Sequence, residues 1–142
     1  MYRHILIPTD GSEQAEHGVA HGLALAKFLG AKVSVIFVLE AFSEVSGRVL
    51  EAVASYAELR KKQATGVLAR AANAAKEAGV SCKTIQVENG QPHQAIIAAA
   101  EERGCDLIVM SSHGRSGLAM LLIGSVTNKV LTHAKTPVLV CP

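Results

Sequence analysis

Short apolar runs alternate along the chain with longer segments of helical periodicity. Five short runs are apolar along most of their length, at positions 5–7, 33–39, 84–87, 107–110 and 138–141. Continuous rather than alternating apolar runs are typical of parallel strands that are covered on both faces. The pattern therefore predicts five buried strands.

The segments between these runs carry apolar residues at the spacing of an amphipathic helix. They cover residues 13–29, about 48–78, about 92–104 and about 126–134. Gly30 and Gly79 follow the first two segments, where glycine commonly ends a helix. Pro92 opens the third segment, at the first-turn position that proline favours. Four helices are therefore expected.

The order of these elements predicts the fold class. Parallel strands separated by helices require crossover connections, which are right-handed in nearly all known cases. We expect a single α/β domain over residues 1–142, with a doubly wound, Rossmann-like sheet of five parallel strands and helices on both faces. Ligands bind such sheets at the carboxyl ends of the strands, so the candidate loops are 8–12, 39–47, 89–92 and 111–124.

Composition and charge exclude several classes of protein. Of the 142 residues, 49% are hydrophobic and 18% are charged. The formal net charge is only +2, and the sequence has no concentrated basic patch of the kind that a nucleic-acid binder needs. No apolar run approaches the roughly 18 residues of a membrane span, and no signal-peptide pattern precedes the first strand. The cysteines Cys82, Cys105 and Cys141 form no CxxC pair. We expect a cytoplasmic protein that binds neither nucleic acid nor membrane.

The stretch from Ser111 to Thr127 carries the clearest chemical signal. It follows a buried strand, begins Ser-Ser-His-Gly-Arg-Ser-Gly and leads into the last predicted helix. Glycines let a backbone approach an anion closely, and the free amides at a helix start carry partial positive charge. This pattern indicates a phosphate-binding loop in which Ser125 donates its hydroxyl. Alternatively, Ser125 merely caps the helix and the glycines merely form turns.

Several motifs together resemble the universal stress protein family. Gly114, nine further residues, Gly124 and Ser125 resemble the family's Gly-x2-Gly-x9-Gly-Ser/Thr pattern for ATP, with Ser111 in place of the first glycine. Residues 4–12 resemble its first strand and Pro-x-Asp-x-Ser turn. Its third-helix start and last two strands are matched at 90–92, 106–110 and 136–140. The resemblance spans nearly the whole chain, with the motifs in the family's order.

The resemblance implies a site for an adenine nucleotide at the strand ends. Val38 is expected to offer backbone groups to the base edge, and Met110 to flank the sugar. Pro8, Thr9 and Asp10 are expected to border the adenine and ribose. The phosphates are expected to lie near Ser111, Gly114, Arg115, Gly124, Ser125 and Val126. The implied ligand is ATP, or else AMP or cyclic AMP, with Mg²⁺ or Mn²⁺ only as carried by the nucleotide.

Two of these residues have alternative roles. Asp10 is also suited to cap the first helix, although Ser12 is better placed to do so. Arg115 could reach a phosphate as a charged donor or be a solvated surface residue.

The histidines near these motifs favour structural roles. His113 has no Ser, Cys or acidic partner placed by sequence to activate it, so a structural role in the loop is expected. His17 and His21 are one helical turn apart, but no third metal ligand is evident. Neither a catalytic residue nor a metal site is therefore predicted.

The resemblance implies a stress-response regulator whose nucleotide orders the loop at 115–123 and biases contacts with an unknown protein partner or a second subunit. A homodimer through the last strand, Val138–Cys141, is expected, because the family commonly pairs there and edge strands readily pair with their copies. A slow ATPase or nucleotidyl-transfer enzyme is a second hypothesis, although no general base is evident. A nucleotide-free stress scaffold or chaperone is a third.

Overall fold

The computed structural model describes residues 1–40, 50–113 and 123–142. Strands and helices alternate along these residues, as the sequence predicts. In chain order they are β1 (His4–Pro8), α1 (Glu13–Leu29), β2 (Lys32–Leu39), α2 (Leu50–Ala78), β3 (Cys82–Glu88), α3 (Pro92–Glu102), β4 (Leu107–Ser111), α4 (Ser125–His133) and β5 (Val138–Cys141).

The predicted boundaries agree with these elements to within about two residues. Gly30 follows α1 in the left-handed conformation, with φ of 68°, and Gly79 follows α2 with φ of 74°. α4 begins at Ser125, one residue earlier than predicted, so Ser125 lies in its first turn. The predicted start of the second helix, before residue 50, lies outside the described residues.

The strands form one parallel sheet in the spatial order β3-β2-β1-β4-β5. This confirms the predicted doubly wound α/β fold. β1 lies at the centre, and the chain first builds outwards on the β2 side and later on the β4 side. The strand order therefore reverses between β1 and β4, and this switch point is where such sheets bind ligands.

Alternate strand residues form two hydrophobic layers, one on each face of the sheet. Ile5, Ile7 and Phe37 belong to the layer that packs against α1 and α2. Leu6 and Ile108 belong to the layer that packs against α3 and α4. All five side chains are fully buried. Because helices cover both faces, each strand presents apolar residues in both directions, which explains the continuous apolar runs.

Two expectations from composition can be compared with these elements. The three cysteines are free thiols, and burial raises the pKa of each, with the pKa of Cys105 rising to about 11. The thiols are therefore protonated at neutral pH. Within the described ranges, no helix combines the length and apolarity that a membrane span requires.

α1 approaches the sheet closely because two buried glycines, Gly18 and Gly22, face it one helical turn apart. A Cβ atom at Gly18 would lie 3.1 Å from the backbone nitrogen of Ser111. A Cβ atom at Gly22 would lie 2.9 Å from Cγ1 of the fully buried Ile7. A larger residue at Gly22 would therefore push α1 away from β1.

A buried histidine joins the amino ends of β1 and β2 to the turn before β4. His4 Nε2 lies 2.8 Å from Ser34 Oγ, and His4 Nδ1 lies 3.2 Å from the Arg103 carbonyl oxygen. The Asp106 carboxylate accepts the backbone N–H of His4 at 3.0 Å. Burial lowers the pKa of His4 below its ordinary value of 6.5. The folded state therefore favours the neutral ring.

Gly22→Ala should lower the free energy of unfolding by about 1 kcal/mol, because overpacking costs more than the gain in helix propensity. Gly66→Ala is the matched control. Gly66 lies within α2, and no described atom lies within 4 Å of the position of its Cβ. That substitution should raise the free energy of unfolding by about 1 kcal/mol. Urea denaturation measures both values, and equal stability of the two variants would contradict the close approach of α1.

Stability should fall as the pH drops below 6.5, because His4 has a lower pKa in the folded state than in the unfolded state. Between those two pKa values the unfolded state binds more protons, so the free energy of unfolding rises with pH. His4→Gln removes this titration and should flatten the dependence between pH 7.5 and the folded pKa. Chemical denaturation across this range measures it, and parallel curves for the two proteins would exclude His4 as the cause.

Candidate functional site

A cleft of about 620 Å³ opens at the carboxyl ends of β1, β2 and β4, beside the switch point of the sheet. This volume is within the range of small-molecule sites. Nine residues predicted from the sequence line the cleft: Pro8, Thr9, Asp10, Val38, Met110, Ser111, Gly124, Ser125 and Val126. The other two, Gly114 and Arg115, lie outside the described part of the chain. The fold thus gathers predicted residues from distant segments of sequence around one cavity.

The turn after β1 is held by its own side chains. The Thr9 hydroxyl accepts the Gly11 N–H at 3.2 Å, and the Asp10 carboxylate accepts the Ser12 N–H at 2.9 Å. Ser12 caps α1, as expected, by accepting the Ala15 N–H at 3.1 Å. Asp10 is therefore not the cap of α1, and it lies on the wall of the cleft.

The end of β2 presents backbone groups to the cleft. The Thr9 N–H donates to the Ile36 carbonyl at 2.9 Å, so even-numbered residues of β2 bond towards β1. The Asn89 N–H donates to the Leu39 carbonyl at 2.9 Å, so odd-numbered residues bond towards β3. Val38 is the next even-numbered residue, and β1 has ended beside it. Its backbone N–H and C=O therefore point past the end of β1, towards the cleft that Val38 lines.

Hydrogen bonds join the end of β4 to the start of α4. The Ser111 hydroxyl donates to the His113 carbonyl at 2.7 Å, and the Thr127 hydroxyl donates to the Ser111 carbonyl at 2.9 Å. The Gly124 N–H donates to the Ser112 carbonyl at 2.7 Å. The side chain that Ser111 adds at the glycine position is thus bonded within this segment.

α4 begins at the cleft with its positive end. Gly124 occupies the N-cap position, and Ser125 and Val126 open the helix. The alternative in which Ser125 caps this helix is therefore wrong. The first turn contains no acidic residue, and the N–H groups at a helix start carry partial positive charge. This end of the cleft favours anions.

One wall of the cleft was not predicted from the sequence. It consists of Val53, Tyr56, Ala57 and Arg60, which follow one another at helical spacing on α2. Further lining residues come from strand ends and neighbouring helices, namely Ala15, Leu39, Glu40, Glu88, Pro92, Ile96 and Thr127. The spacing at 53, 56, 57 and 60 is a sequence signal, but it did not distinguish a core-facing stripe from a cleft-facing one.

The charged residues that line the described part of the cleft are unevenly divided. Asp10, Glu40 and Glu88 are acidic and lie near the ends of β1, β2 and β3. Arg60 is the cation among the described lining residues.

The histidines considered from the sequence form no metal site in the described part of the chain. His17 and His21 are exposed on α1. His113 Nδ1 lies 2.9 Å from Ser112 Oγ within the segment after β4. Over the described ranges, no three His, Cys, Asp or Glu side chains are grouped closely enough to hold a metal ion.

Comparison with known proteins adds independent information. The family model described as "Universal stress protein family" matches residues 1–142. A universal stress protein of Methanocaldococcus jannaschii is 36% identical over 143 residues, covering 99% of this chain and 82% of its own length. A solved universal stress protein in complex with cAMP is 26% identical, with a TM-score of 0.70 and coverage of 99% of this chain and 96% of that one.

The fold itself has a close match in UspA from Lactobacillus plantarum. That structure has a TM-score of 0.89 at 21% identity and covers 99% of this chain and 98% of its own. The family model, the relatives in sequence and the matched architecture agree over the whole length of the sequence. The chain belongs to the universal stress protein family.

Proposed function

We propose that the cleft binds an adenine nucleotide and that the protein is a stress-response regulator controlled by that ligand. The observation that carries this proposal is the backbone of Val38, whose N–H and C=O point past the end of β1 into the cleft. These groups form one donor and one acceptor at fixed positions on a buried sheet.

A donor beside an acceptor matches the edge of adenine. The exocyclic N6 amino group donates a hydrogen bond, and the neighbouring ring nitrogen N1 accepts one. Guanine and hypoxanthine carry the reverse arrangement, with an acceptor at O6 and a donor at N1. A base held by Val38 would therefore be selected as adenine, because the wrong base would leave both backbone groups without partners.

The start of α4, which also borders the cleft, suits the phosphates. Gly124, Ser125 and Val126 bring the start of α4 to the cleft wall, and N–H groups at a helix start bind phosphate oxygens. The stress protein solved with cAMP supports an adenine nucleotide as the ligand class. Our first candidate is ATP, with AMP and cyclic AMP as the alternatives, and any Mg²⁺ or Mn²⁺ would arrive with the phosphates.

A regulatory role follows from what such a ligand can do. A nucleotide shifts a protein between two states only by binding one of them more tightly. In this proposal, the nucleotide changes the surface around the cleft and thereby the contacts with a protein partner in the cytoplasm.

The protein should bind AMP or ATP at least about tenfold more tightly than IMP or GMP, because a mismatched base edge costs on the order of 1–3 kcal/mol. Native mass spectrometry of freshly purified protein tests for a copurified nucleotide, and isothermal titration calorimetry measures each affinity. Equal affinity for AMP and GMP would contradict recognition by Val38. The absence of any adenine nucleotide binding would leave the scaffold hypothesis.

Gly124→Val is the matched test of the phosphate end. The valine side chain would fill space at the cleft wall beside the start of α4 and should abolish binding. Gly66→Val makes the same chemical change within α2, where no described atom crowds the side-chain position. Its affinity should equal that of the wild type. Loss of binding in both variants would show a general effect on folding rather than a phosphate site.

We also propose that the protein forms a homodimer through β5. β5 is the last strand of the sheet, and Leu139 within it is 39% exposed. The Ile108 N–H donates to the Pro137 carbonyl and the Ser112 N–H to the Cys141 carbonyl, so odd-numbered positions of β5 bond to β4. The backbone groups of Val138 and Val140 therefore face outwards, where a second copy can pair with them in an isologous interface.

Val140→Pro should convert the dimer into a monomer without unfolding the domain. Proline removes an N–H that points away from β4, and such positions on edge strands tolerate it. Analytical ultracentrifugation measures the oligomeric state, and circular dichroism checks the fold. A folded variant that remains dimeric would exclude pairing along this edge.

A further inference from the structure

The first part of α2 has no role in the hydrophobic core. From residue 64 onwards the helix buries Ala64, Val67, Leu68, Ala71 and Ala75 against the sheet. Between residues 51 and 63, in contrast, no side chain is fully buried. The half-buried ones are Val53, Ala57 and Arg60, which lie on one face with the cleft-lining Tyr56. The inward stripe of this half faces the cleft instead of the core.

Arg60 is held in a defined place on that stripe. Its guanidinium carbon lies 5.3 Å from the centroid of the Phe37 ring, which is a cation–π distance. Its Nη1 donates to Gln63 Oε1 at 2.7 Å. Phe37 is fully buried in β2. The ring and the amide therefore fix the guanidinium near the sheet rather than leaving it extended into solvent.

The charge of Arg60 is not paired within the described residues. No carboxylate of that part of the chain lies within salt-bridge distance of it, whereas Lys61 and Arg70 are paired with Glu58 and Glu16. A guanidinium has five N–H donors, and one bond to Gln63 leaves most of them for another group. A half-buried arginine without an acidic partner, on the wall of a cavity, is suited to an anionic ligand.

The other charged side chains of the cleft also favour an anion beside Arg60. Glu40 and Glu88 place negative charge at the ends of β2 and β3, and Arg60 is the side chain among the described lining residues that attracts an anion. We propose that Arg60 is a ligand-binding residue that recognises the phosphate-bearing part of the nucleotide, and that α2 is a specificity element of the site. This inference rests on the proposed adenine-nucleotide function.

Three ligands that differ in the number of phosphate groups separate phosphate recognition by Arg60 from a role in packing. Titration calorimetry of adenosine, AMP and ATP against Arg60→Gln should show AMP and ATP weakened about tenfold or more, since bonds between charged groups are the strong ones. Adenosine should bind within about twofold of its wild-type affinity. Arg60→Lys should recover part of the loss, because it restores the charge without the planar fork.

Lys62→Gln is the matched control, since it removes the same charge from an exposed position on α2 that does not line the cleft. It should leave all three affinities unchanged. Thermal unfolding of each variant establishes that the domain is folded.

The outcomes distinguish this inference from the proposed function. If the wild type and Arg60→Gln bind AMP equally well, the proposed role of Arg60 is wrong, and the nucleotide site is unaffected. An equal loss for adenosine and AMP assigns Arg60 to packing and also overturns it. Wild-type protein that binds none of the three compounds overturns both proposals together.

Discussion

The site depends on where the pairing of β1 stops. Odd-numbered positions along β1 and just after it bond towards β2, as the Thr9 N–H does, so even-numbered positions face β4. Pairing with β4 ends at Leu6 and Ile108, and the next residue on that side is Pro8, which has no N–H to continue the ladder. The central strand therefore ends early while its neighbours continue. Beyond the end of β1 there is a gap, and backbone groups of β2 face this cavity instead of a paired strand.

Two further constraints keep that gap at a fixed size. Gly18 and Gly22 let α1 lie directly against the ends of β1 and β4, since a Cβ at either position would meet Ser111 or Ile7. The Thr127 hydroxyl then ties the start of α4 to the last carbonyl of β4. A cleft bordered by a packed helix and by the joined ends of β4 and α4 is preorganised there, so less binding energy is lost in ordering these parts.

The sequence could predict most of the fold and much of the site for separate physical reasons. Continuous apolar runs and glycine stops at Gly30 and Gly79 are local signals, so element types and ends followed from them. No local signal predicts the strand order, because the side of β1 on which each crossover connection places the next strand depends on packing. The α2 wall was missed for a related reason: the spacing of Tyr56 and Arg60 is the same whether a helix faces a core or a cavity.

The two halves of α2 are stabilised in different ways. Its second half is stabilised by burial, with Ala64 and Ala75 fully enclosed, whereas helical propensity alone gives little stability to a segment shorter than about 15 residues. The first half therefore depends on what it contacts in the cleft, and the Arg60–Phe37 contact is one such anchor. A ligand that contacts this face adds stability to the part of the helix with the least of its own. Under the proposed function, occupancy of the cleft would be coupled to the outer surface of α2, where Leu59 is 53% exposed, and a partner bound to that surface would respond to the ligand without touching it.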